Sequence, residues 1–294
     1  HEDVIRKHLV RHIMIGTALV DMYAKSGLLS KAREVFEELR VRYIGSWSAL
    51  IGGYMEMDQG QEALKGLKRM QTECISPDAI IFTSILKTWG KVRDINKGKE
   101  THCVIHCMGL LEDDIMLGGA LVDMYVKCGA LTKARQVLKE LCVRDVVSWN
   151  ALITGYVQKE QCYEALDCFD QMQSEGISPD LVTFTCIMKA VGSIGAIDKG
   201  KQIHSEIMRL GLLEKNSTIG NALVDMYVKC GKITKARQVL EELSVRDIVT
   251  WNTLITGYVQ QGKMQEAWIC FEWMQNDGVP PNVVTFILIL TACG

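Results

Sequence analysis

Paired histidines and cysteines in the first half of the chain have a spacing that could hold a zinc ion. In the stretch HCVIHC at 102–107, His102 and His106, and also Cys103 and Cys107, lie four residues apart, which places each pair on one face of a helix. Two pairs on adjacent faces of a single helix do not form a four-ligand cage, and a related stretch later in the chain keeps only the first histidine. These residues are therefore interpreted as packing residues, and no metal site is expected.

A second stretch contains most of a phosphate-binding loop. GAIDKGKQ at 195–202 matches the pattern Gly-x-x-x-x-Gly-Lys, but it ends in Gln202 where the pattern requires Ser or Thr, and no strand precedes it. HSE at 204–206 matches the first half of a zinc deaminase signature, whose second half is missing. The chain also lacks a Ser-His-Asp set and a paired-carboxylate arrangement. It is therefore not expected to be an enzyme or to bind a cofactor.

The composition is that of a folded, nearly neutral protein. Of 294 residues, 48% are hydrophobic and 23% are charged, with only 4 Pro, which argues against disorder. The formal net charge of −2 means that any nucleic-acid site has to be a local patch. No apolar run long enough for a membrane span and no signal peptide is present, so no membrane partner is expected. The chain starts at His1 and stops within a repeated pattern, as a piece of a longer protein would.

The chain has 11 cysteines, which raises the question of disulfides. Cys168 and Cys270 each precede a phenylalanine at an apolar position, Phe169 and Phe271. We therefore expect these cysteines to act as small buried residues in a reducing compartment.

One ten-residue segment recurs and reveals a long internal period. ALVDMYVKCG stands at 120–129 and at 222–231, and the related ALVDMYAKSG stands at 18–27, so the copies are 102 residues apart. Apolar residues between the copies recur three, four and seven positions apart, as Leu166 and Phe169 do. This spacing is typical of amphipathic helices, and glycines mark the joints between them.

Each period divides into three helical hairpins. The hairpins have 31, 35 and 36 residues, and we call them short, standard and long repeats. Such tandem repeats predict a solenoid, in which each helix pair buries its apolar face against its neighbours. The predicted fold is therefore all-α, an α-solenoid superhelix of helix–turn–helix repeats without an internal domain boundary. Short repeats are predicted at 13–43, 115–145 and 217–247, standard repeats at 44–78, 146–180 and 248–282, and long repeats at 79–114 and 181–216, with 1–12 ending one long repeat and 283–294 beginning another.

These hairpins resemble the pentatricopeptide repeat (PPR) family, in the plant PLS subclass that combines standard (P), long (L) and short (S) motifs. VVSWNALITGYVQKEQCYEALDCFDQMQSEGISPD at 146–180 is similar to a P motif. VTFTCIMKAVGSIGAIDKGKQIHSEIMRLG lies in a segment that looks like an L motif, and GNALVDMYVKCGKITKARQVLEELSVRD at 220–247 lies in one that looks like an S motif. The resemblance covers essentially the whole chain. It implies sequence-specific binding of single-stranded RNA in a mitochondrion or chloroplast, and members of the subclass act mostly in C-to-U RNA editing.

The resemblance also implies that each repeat binds one base with two of its residues. The first helix of each repeat would line the concave face, and the fifth and last residues of the repeat would read the base. The implied reading pairs are Thr17/Tyr43, Gly119/Asp145 and Asn221/Asp247 in short repeats, Ser48/Asp78, Asn150/Asp180 and Asn252/Asn282 in standard repeats, and Thr83/Asp114 and Thr185/Asn216 in long repeats.

Side-chain chemistry gives some of these pairs a base preference. Asp only accepts hydrogen bonds and suits U and G, which carry an imino N–H, whereas Asn also donates and tolerates C or A. Asn at the fifth position leaves room for a pyrimidine, and Ser or Thr leaves room for a purine. By analogy with the family, Ser48/Asp78 favours G, Asn150/Asp180 and Asn221/Asp247 favour U, and Asn252/Asn282 favours C and tolerates U. The predicted site over 44–282 is 5′-G-x-x-U-x-U-C-3′, with the other repeats left open.

The second residue of each repeat is implied to clamp a base from the side. The alternative is ordinary packing at the start of a helix, and the sequence does not separate the two. The candidate clamping residues, all Val, Ile or Met, are Ile80, Met116, Val147, Val182 and Val249.

A lysine recurs near the end of several first helices, eight residues after the fifth position of the repeat. A periodic lysine column could neutralise phosphates and supply affinity without sequence information. The alternative is a solvated helix end, where a cation interacts favourably with the helix dipole. The candidate lysines are Lys25, Lys91, Lys127 and Lys229.

Three tryptophans directly precede the reading position of a repeat: Trp47, Trp149 and Trp251. They could stack on bases, but their place on the helix favours packing in the core. Their loss is therefore expected to lower stability first.

Three functions remain open on the sequence. The first is RNA recognition that positions an editing site for a deaminase, which either follows this chain or is supplied by a partner, with or without an accessory editing factor. The second is an RNA-binding factor for splicing, stability or translation. The third is a helical scaffold that binds protein partners. The recurring polar pair favours RNA, because a peptide groove has no reason to repeat it.

Overall fold

A computed structural model describes residues 13–111, 114–213 and 216–293, and these residues form seventeen helices and no strand. This confirms the predicted all-α repeat fold. The helices are α1 (Ile13–Lys25), α2 (Leu29–Glu38), α3 (Ile44–Glu56), α4 (Gly60–Thr72), α5 (Ala79–Val92), α6 (Ile95–Cys107), α7 (Ile115–Lys127), α8 (Leu131–Glu140), α9 (Val146–Gln158), α10 (Cys162–Ser174), α11 (Leu181–Ile194), α12 (Ile197–Arg209), α13 (Ser217–Lys229), α14 (Ile233–Glu242), α15 (Ile248–Gln260), α16 (Met264–Asn276) and α17 (Val283–Cys293).

The odd-numbered helices are the first helices of the hairpins, and each begins at the residue where a repeat is predicted to begin. Thus α3 begins at Ile44 and α15 begins at Ile248. The assignment of the repeats to three types stays a prediction. The predicted end of a long repeat at 1–12 lies outside the described residues.

The chain forms two compact halves, residues 1–152 and residues 153–294, and the boundary between them lies within α9. In the N-terminal half, α1, α3, α5 and α7 pack successively against one another, and each second helix packs against its own first helix. In the C-terminal half, α11, α13, α15 and α17 pack successively in the same way. A layer of first helices therefore runs through each half.

Close approach of the first helices requires small residues at their crossing. A Cβ atom added at Gly53 in α3 would lie 2.4 Å from the Cβ of Ala24 in α1.

The amphipathic stripes predicted for the second helices are buried in the structure. In α8, Ala134, Val137 and Leu138 are at most 1% exposed. Burial of these stripes supplies the main stabilisation of the helix layers.

The penultimate residue of each short repeat is an arginine that caps the second helix. In the C-terminal half, Arg246 donates hydrogen bonds to the carbonyls of Leu240 at 2.9 Å and Glu241 at 2.8 Å. In the N-terminal half, Arg144 donates in the same way to Leu138 and Lys139, both at 2.8 Å. These carbonyls lie in the last turn of the helix, where the regular backbone partner four residues later is missing. The cap fixes the chain directly before the last residue of the repeat, which is a predicted reading residue.

The first helix of a short repeat ends in a tight turn. Gly129 has a φ of 76°, in the left-handed region, and the backbone N–H of Ala130 donates to the carbonyl of Tyr125 over 2.9 Å. A glycine adopts this conformation without steric cost. The turn therefore explains the glycine at the last position of ALVDMYVKCG.

None of the helices in the described part of the chain is long and apolar enough to cross a membrane.

Candidate nucleic-acid interface

The predicted reading pair Asn221/Asp247 is joined directly by a hydrogen bond. The Nδ2 atom of Asn221 in α13 donates to Oδ2 of Asp247 over 2.9 Å, across 26 positions of the chain. Thr250, three residues into the next repeat, donates through its hydroxyl to Oδ1 of Asn221 and lies 2.9 Å from Oδ1 of Asp247. Three residues of two consecutive repeats thus form one polar cluster.

Electrostatics keeps the carboxyl group of Asp247 ionised. Burial by itself would raise the pKa of Asp247, but hydrogen bonds from the Asn221 amide and from the backbone N–H groups of Thr250 and Val249 outweigh that effect and lower it. The carboxylate can therefore act only as an acceptor at neutral pH.

The next reading pair, Asn252/Asn282, has the same arrangement. Nδ2 of Asn252 in α15 donates to Oδ1 of Asn282 over 3.3 Å. The hydroxyl of Thr285 lies 2.7 Å from Oδ1 of Asn252 and 3.0 Å from Oδ1 of Asn282. Because this pair contains no carboxylate, it presents an additional amide N–H₂ group instead of an acceptor oxygen.

The last residue of a repeat also caps the helix that follows it. Oδ1 of Asp247 accepts a hydrogen bond from the backbone N–H of Thr250 at 2.9 Å. This role leaves one side-chain atom, Oδ2 of an Asp or Nδ2 of an Asn, for other partners. The other residues that cap a first helix in this way are Asp78, Asp114, Asp145, Asp180, Asn216 and Asn282.

The remaining reading pairs have different local structures. Thr185 donates its hydroxyl to the carbonyl of Leu181 in its own helix, at 2.7 Å. The hydroxyl of Thr17 is buried and has no hydrogen-bond partner among the described residues. No hydrogen bond between the described side chains joins Ser48 to Asp78 or Thr83 to Asp114. Asn150 and Asp180 lie in different halves of the chain.

Two pairs of the short repeats depart from the pattern in an informative way. A Cβ atom added at Gly119 would lie 3.3 Å from Oγ of Ser148, which is a tight contact, and Gly119 has no side chain at the position where Asn221 stands in its repeat. The ring of Tyr43 lies over Gly45, since a Cβ atom there would be 2.8 Å from Cε2 of the tyrosine. Gly45 is the second residue of its repeat, and the aromatic ring of Tyr43 occupies the region next to it.

The candidate clamping residues are exposed and lie at the starts of the first helices. Their exposed fractions range from 51% for Val182 to 70% for Met116. Ile80, Val147 and Val249 lie between these values. Large apolar side chains that are more than half exposed contribute little to packing at a helix start. These side chains are therefore accessible to another molecule, as a clamp requires, and the clamping role stays a prediction.

One pocket brings the clamping and reading positions together in the C-terminal half. It has a volume of about 410 Å³ and is lined by residues of α13, α15 and the start of α17. Its walls include the two successive second residues Val249 and Val284, the pair Asn252 and Asn282, and Lys229. Pockets that combine apolar side chains with convergent polar groups are typical of ligand-binding sites.

Each of the four candidate phosphate lysines is paired with an aspartate. Lys229 lies 2.6 Å from Asp225, four residues earlier in α13, and Lys127 lies 2.7 Å from Asp123 in the same way. Lys25 pairs with Asp21 at 2.7 Å, and Lys91 pairs with Asp58 at 2.9 Å. For Lys25, Lys127 and Lys229, the aspartate belongs to the same copy of the recurring segment as the lysine. The lysines are therefore not isolated cations, and an approaching phosphate competes with an internal partner.

The tryptophans before the reading positions are core residues, as interpreted from the sequence. Trp47, Trp149 and Trp251 are 1%, 1% and 2% exposed. A base cannot stack on an indole that is buried to this extent.

The stretches that resemble metal and phosphate sites have structural roles. Nδ1 of His102 lies 3.0 Å from the hydroxyl of Tyr125, and His204 pairs with Tyr227 at the same distance. Among the described residues, no group of three or more His, Cys, Asp or Glu could hold a metal ion. GAIDKGKQ spans a turn between α11 and α12, where Gly195 has a φ of 69°, so it lacks the strand of a phosphate-binding loop.

Cys168 and Cys270 are 0% and 1% exposed, as expected for small buried residues.

The sequence reasoning missed two members of the site. One is Val284, which continues the column of second residues; the other is the hydroxyl at the third residue of a repeat, as in Thr250 and Thr285. The second had a signal, because Asp or Asn followed three residues later by Ser or Thr is typical of a capped helix start.

Two protein-family models match this chain. A model described as "PPR repeat" matches residues 17–44, 45–75, 119–146 and 221–248, and one described as "PPR repeat family" matches 144–193 and 246–294. Together they cover more than half of the chain.

Similar full-length proteins are known from Arabidopsis thaliana. "Pentatricopeptide repeat-containing protein At3g09040, mitochondrial" is 36% identical over 100% of this chain and 28% of its own length. "Pentatricopeptide repeat-containing protein At1g11290, chloroplastic" is 35% identical over 96% of this chain and 34% of its own length. The chain thus spans about a third of the length of these relatives. Among solved structures, PPR10 in complex with an 18-nt psaJ RNA element has a TM-score of 0.68 and 19% identity, over 99% of this chain and 44% of that chain, which shows a shared fold.

Proposed function

Because the chain belongs to the pentatricopeptide repeat family, we propose that it recognises single-stranded RNA and that each repeat binds one base. The observation that carries this proposal is the direct contact between the fifth and last residues of a repeat, seen for Asn221 with Asp247 and for Asn252 with Asn282. Two positions that are far apart in the chain form one polar edge, and the edge differs from repeat to repeat. PPR10, which shares the fold, binds an RNA element.

The pocket beside α15 has the form that a base requires. Val249 and Val284 belong to successive repeats, and a planar base placed between them would have its edge toward Asn252 and Asn282. Aliphatic side chains give contact area that does not depend on base identity, and the amides give hydrogen bonds that do. We therefore assign the clamp to Ile80, Met116, Val147, Val182 and Val249, and we add Val284.

The chemistry of each reading edge sets its base. Asn221 has one amide N–H beyond the one donated to Asp247, and Oδ2 of Asp247 has a free lone pair, so this edge offers a donor beside an acceptor. That pattern complements the carbonyl and imino N–H of U. The Asn252/Asn282 edge offers amide N–H groups, which complement the ring nitrogen and carbonyl of C.

The full reading over 44–282 stays 5′-G-x-x-U-x-U-C-3′. Ser48/Asp78 takes G, because the small serine leaves room for a purine and the aspartate accepts from its N–H. Asn150/Asp180 takes U, as the chemically identical pair Asn221/Asp247 does. Thr83/Asp114, Thr185/Asn216, Thr17/Tyr43 and Gly119/Asp145 contact a base without an assigned preference.

Binding of RNA can be tested with the chain itself. A labelled oligonucleotide with the sequence above is expected to bind more tightly than one in which its four assigned bases are scrambled, at the same salt concentration. Affinity for both should fall as salt rises, because phosphate contacts release counterions. Equal affinity for the two sequences would refute base recognition.

We further propose that the RNA recognised is a plant organellar transcript and that binding positions a site for C-to-U editing. The alternating repeat lengths of 31, 35 and 36 residues support the PLS subclass, and the relatives above include proteins named as mitochondrial and chloroplastic. The deaminase would be a separate domain or partner. Disruption of the gene should abolish editing of a C near a matching sequence; altered splicing or abundance with all editing intact would support the alternative factor instead.

A further inference from the structure

The third residue of a first helix divides the repeats into two groups. In one group it is a hydroxyl residue that is at most 1% exposed, and a buried hydroxyl requires a hydrogen-bond partner. In the other group it is apolar. The hydroxyl residues are Ser46, Ser148, Thr183, Thr250 and Thr285. The apolar residues are Ile15, Ile81, Leu117 and Ile219, the third residues of α1, α5, α7 and α13.

The hydroxyl of Thr250 binds the reading residue of the preceding repeat. It donates to Oδ1 of Asn221, while Nδ2 of the same amide donates to Asp247 at 2.9 Å. An inverted amide would place its oxygen against the carboxylate of Asp247, which is unfavourable. Both ends of the Asn221 amide are therefore held, and its remaining N–H has one fixed direction.

The same relationship recurs one repeat later. The hydroxyl of Thr285 lies 2.7 Å from Oδ1 of Asn252, whose Nδ2 donates to Asn282 at 3.3 Å. Thr285 is 0% exposed, as is Thr250, so neither residue can touch a bound base. Two independent copies of the geometry indicate a built feature of the repeat.

The sequence couples this hydroxyl to the type of reading residue. Each Asn at a fifth position is followed by Thr at the third position of the next repeat: Asn150 by Thr183, Asn221 by Thr250 and Asn252 by Thr285. The hydroxyl residues at other fifth positions, Ser48, Thr83 and Thr185, are followed by Ile81, Leu117 and Ile219. Two fifth positions fit neither relationship: Thr17 is followed by Ser46, and Gly119 is followed by Ser148.

We propose that the buried threonine at the third residue of a repeat is a positioning residue for the reading asparagine of the preceding repeat, and that its hydroxyl sets how sharply that asparagine discriminates between bases. The inference rests on the proposed recognition of RNA. It adds a third position, carried by the neighbouring repeat, to the two that read each base. On this proposal, the selectivity of a repeat depends on which repeat follows it.

The test replaces the hydroxyl by a methyl group of the same shape. In Thr250→Val, the preference of the parent chain for U over C at the sixth base of 5′-G-x-x-U-x-U-C-3′ is expected to fall at least about fivefold, the effect of one lost hydrogen bond. The preference at the seventh base should not change. Thr285→Val should do the opposite and reduce discrimination at the seventh base alone. Thr250→Ser keeps the hydroxyl and should keep the preference.

Two comparisons separate this role from a general loss of structure. Thr101→Val removes another buried threonine hydroxyl, one that donates to the carbonyl of Lys97 at 2.9 Å, and it should leave both preferences unchanged. If Thr250→Val or Thr285→Val lost discrimination at both the sixth and the seventh base, the cause would be a structural defect and the proposal would be overturned. If Thr250→Val does not fold, Thr285→Val decides alone.

The outcomes distinguish the inference from the function on which it rests. If the parent chain shows no base preference at the sixth and seventh bases, the proposed recognition of RNA fails. If the parent discriminates and both folded valine variants discriminate equally well, the recognition stands and the positioning role is wrong.

Discussion

Asn221 and Asp247 lie 26 positions apart in the chain, and the amide of the first donates a hydrogen bond of 2.9 Å to the carboxylate of the second. One residue stands in the first turns of α13, and the other directly precedes α15. The packing of these two helices closes the gap and forms one edge from two repeats.

The base preference of a reading edge should change with a single atom. In Asp247→Asn, the acceptor Oδ2 becomes an N–H₂ group, so the preferred base at the sixth position should change from U to C. Asn caps a helix about as well as Asp, so the free energy of unfolding should change little. Binding to matched U and C oligonucleotides measures the change. Asp247→Ala is the control: it should lose both the preference and about 1 kcal/mol of stability from the cap.

Removal of a clamping side chain should weaken all RNAs alike. Val249 is 55% exposed and makes little contribution to the core, so Val249→Ala should leave the unfolding transition nearly unchanged. Loss of its methyl contacts with a base should lower affinity about threefold to tenfold. The ratio of affinities for U and C at any base should stay the same. A changed ratio with unchanged affinity would show that this residue reads bases.

The lysine column can be tested together with its internal partners. Lys229→Ala should lower affinity for every sequence and reduce the slope of log K against log salt by about 0.7, the value for one phosphate contact on a single strand. Asp225, which lies 2.6 Å from Lys229, should act in the opposite direction. Asp225→Asn frees the ammonium group and should raise affinity. If both variants bind as the parent does, the pair is only an ion pair on the helix surface.

The buried tryptophans should matter for stability and not for base selection. Trp251→Ala removes a side chain that is 2% exposed and should cost about 3–5 kcal/mol of unfolding free energy. Trp251→Phe should cost less, since the indole N–H has no hydrogen-bond partner among the described residues. Denaturant unfolding gives these values. A folded Trp251→Phe variant with altered base preference would contradict the core role.

Two half-buried histidines should make stability depend on pH. Burial, with a smaller contribution from Lys235, lowers the pKa of His204 below its ordinary value of 6.5, although Glu242 acts in the opposite direction. The unfolded chain therefore binds a proton at a higher pH than the folded chain does, and stability is full above pH 6.5 and falls as the pH drops below that value. Burial has the same effect on the pKa of His102.

Substitution of the histidine measures this effect. His204→Gln should flatten the dependence of the unfolding free energy on pH below 6.5, by up to about 1.4 kcal/mol per pH unit for one group. Urea unfolding at a series of pH values gives the slope. An unchanged slope in this variant would place the pH dependence elsewhere in the protein.

The sequence by itself determined the repeats, because helix periodicity and turn chemistry are local. The 102-residue period, the joints at glycines such as Gly129 and the buried stripe of α8 all follow from spacing along the chain. The all-α repeat fold follows from them, and the names of the Arabidopsis relatives agree with the expected organellar setting. Burial of the tryptophans could also be predicted, since their position on the helix decides it.

Only the tertiary structure decided how the candidate site is assembled. Contacts such as those among Asn221, Asp247 and Thr250 join residues of neighbouring repeats, and sequence spacing does not report the distance between them. The exposure of the clamping residues and the pairing of Lys229 with Asp225 depend in the same way on rotamers and on neighbouring helices. Local patterns fix where each helix begins, but the packing of one repeat on the next determines which side chains share a hydrogen bond.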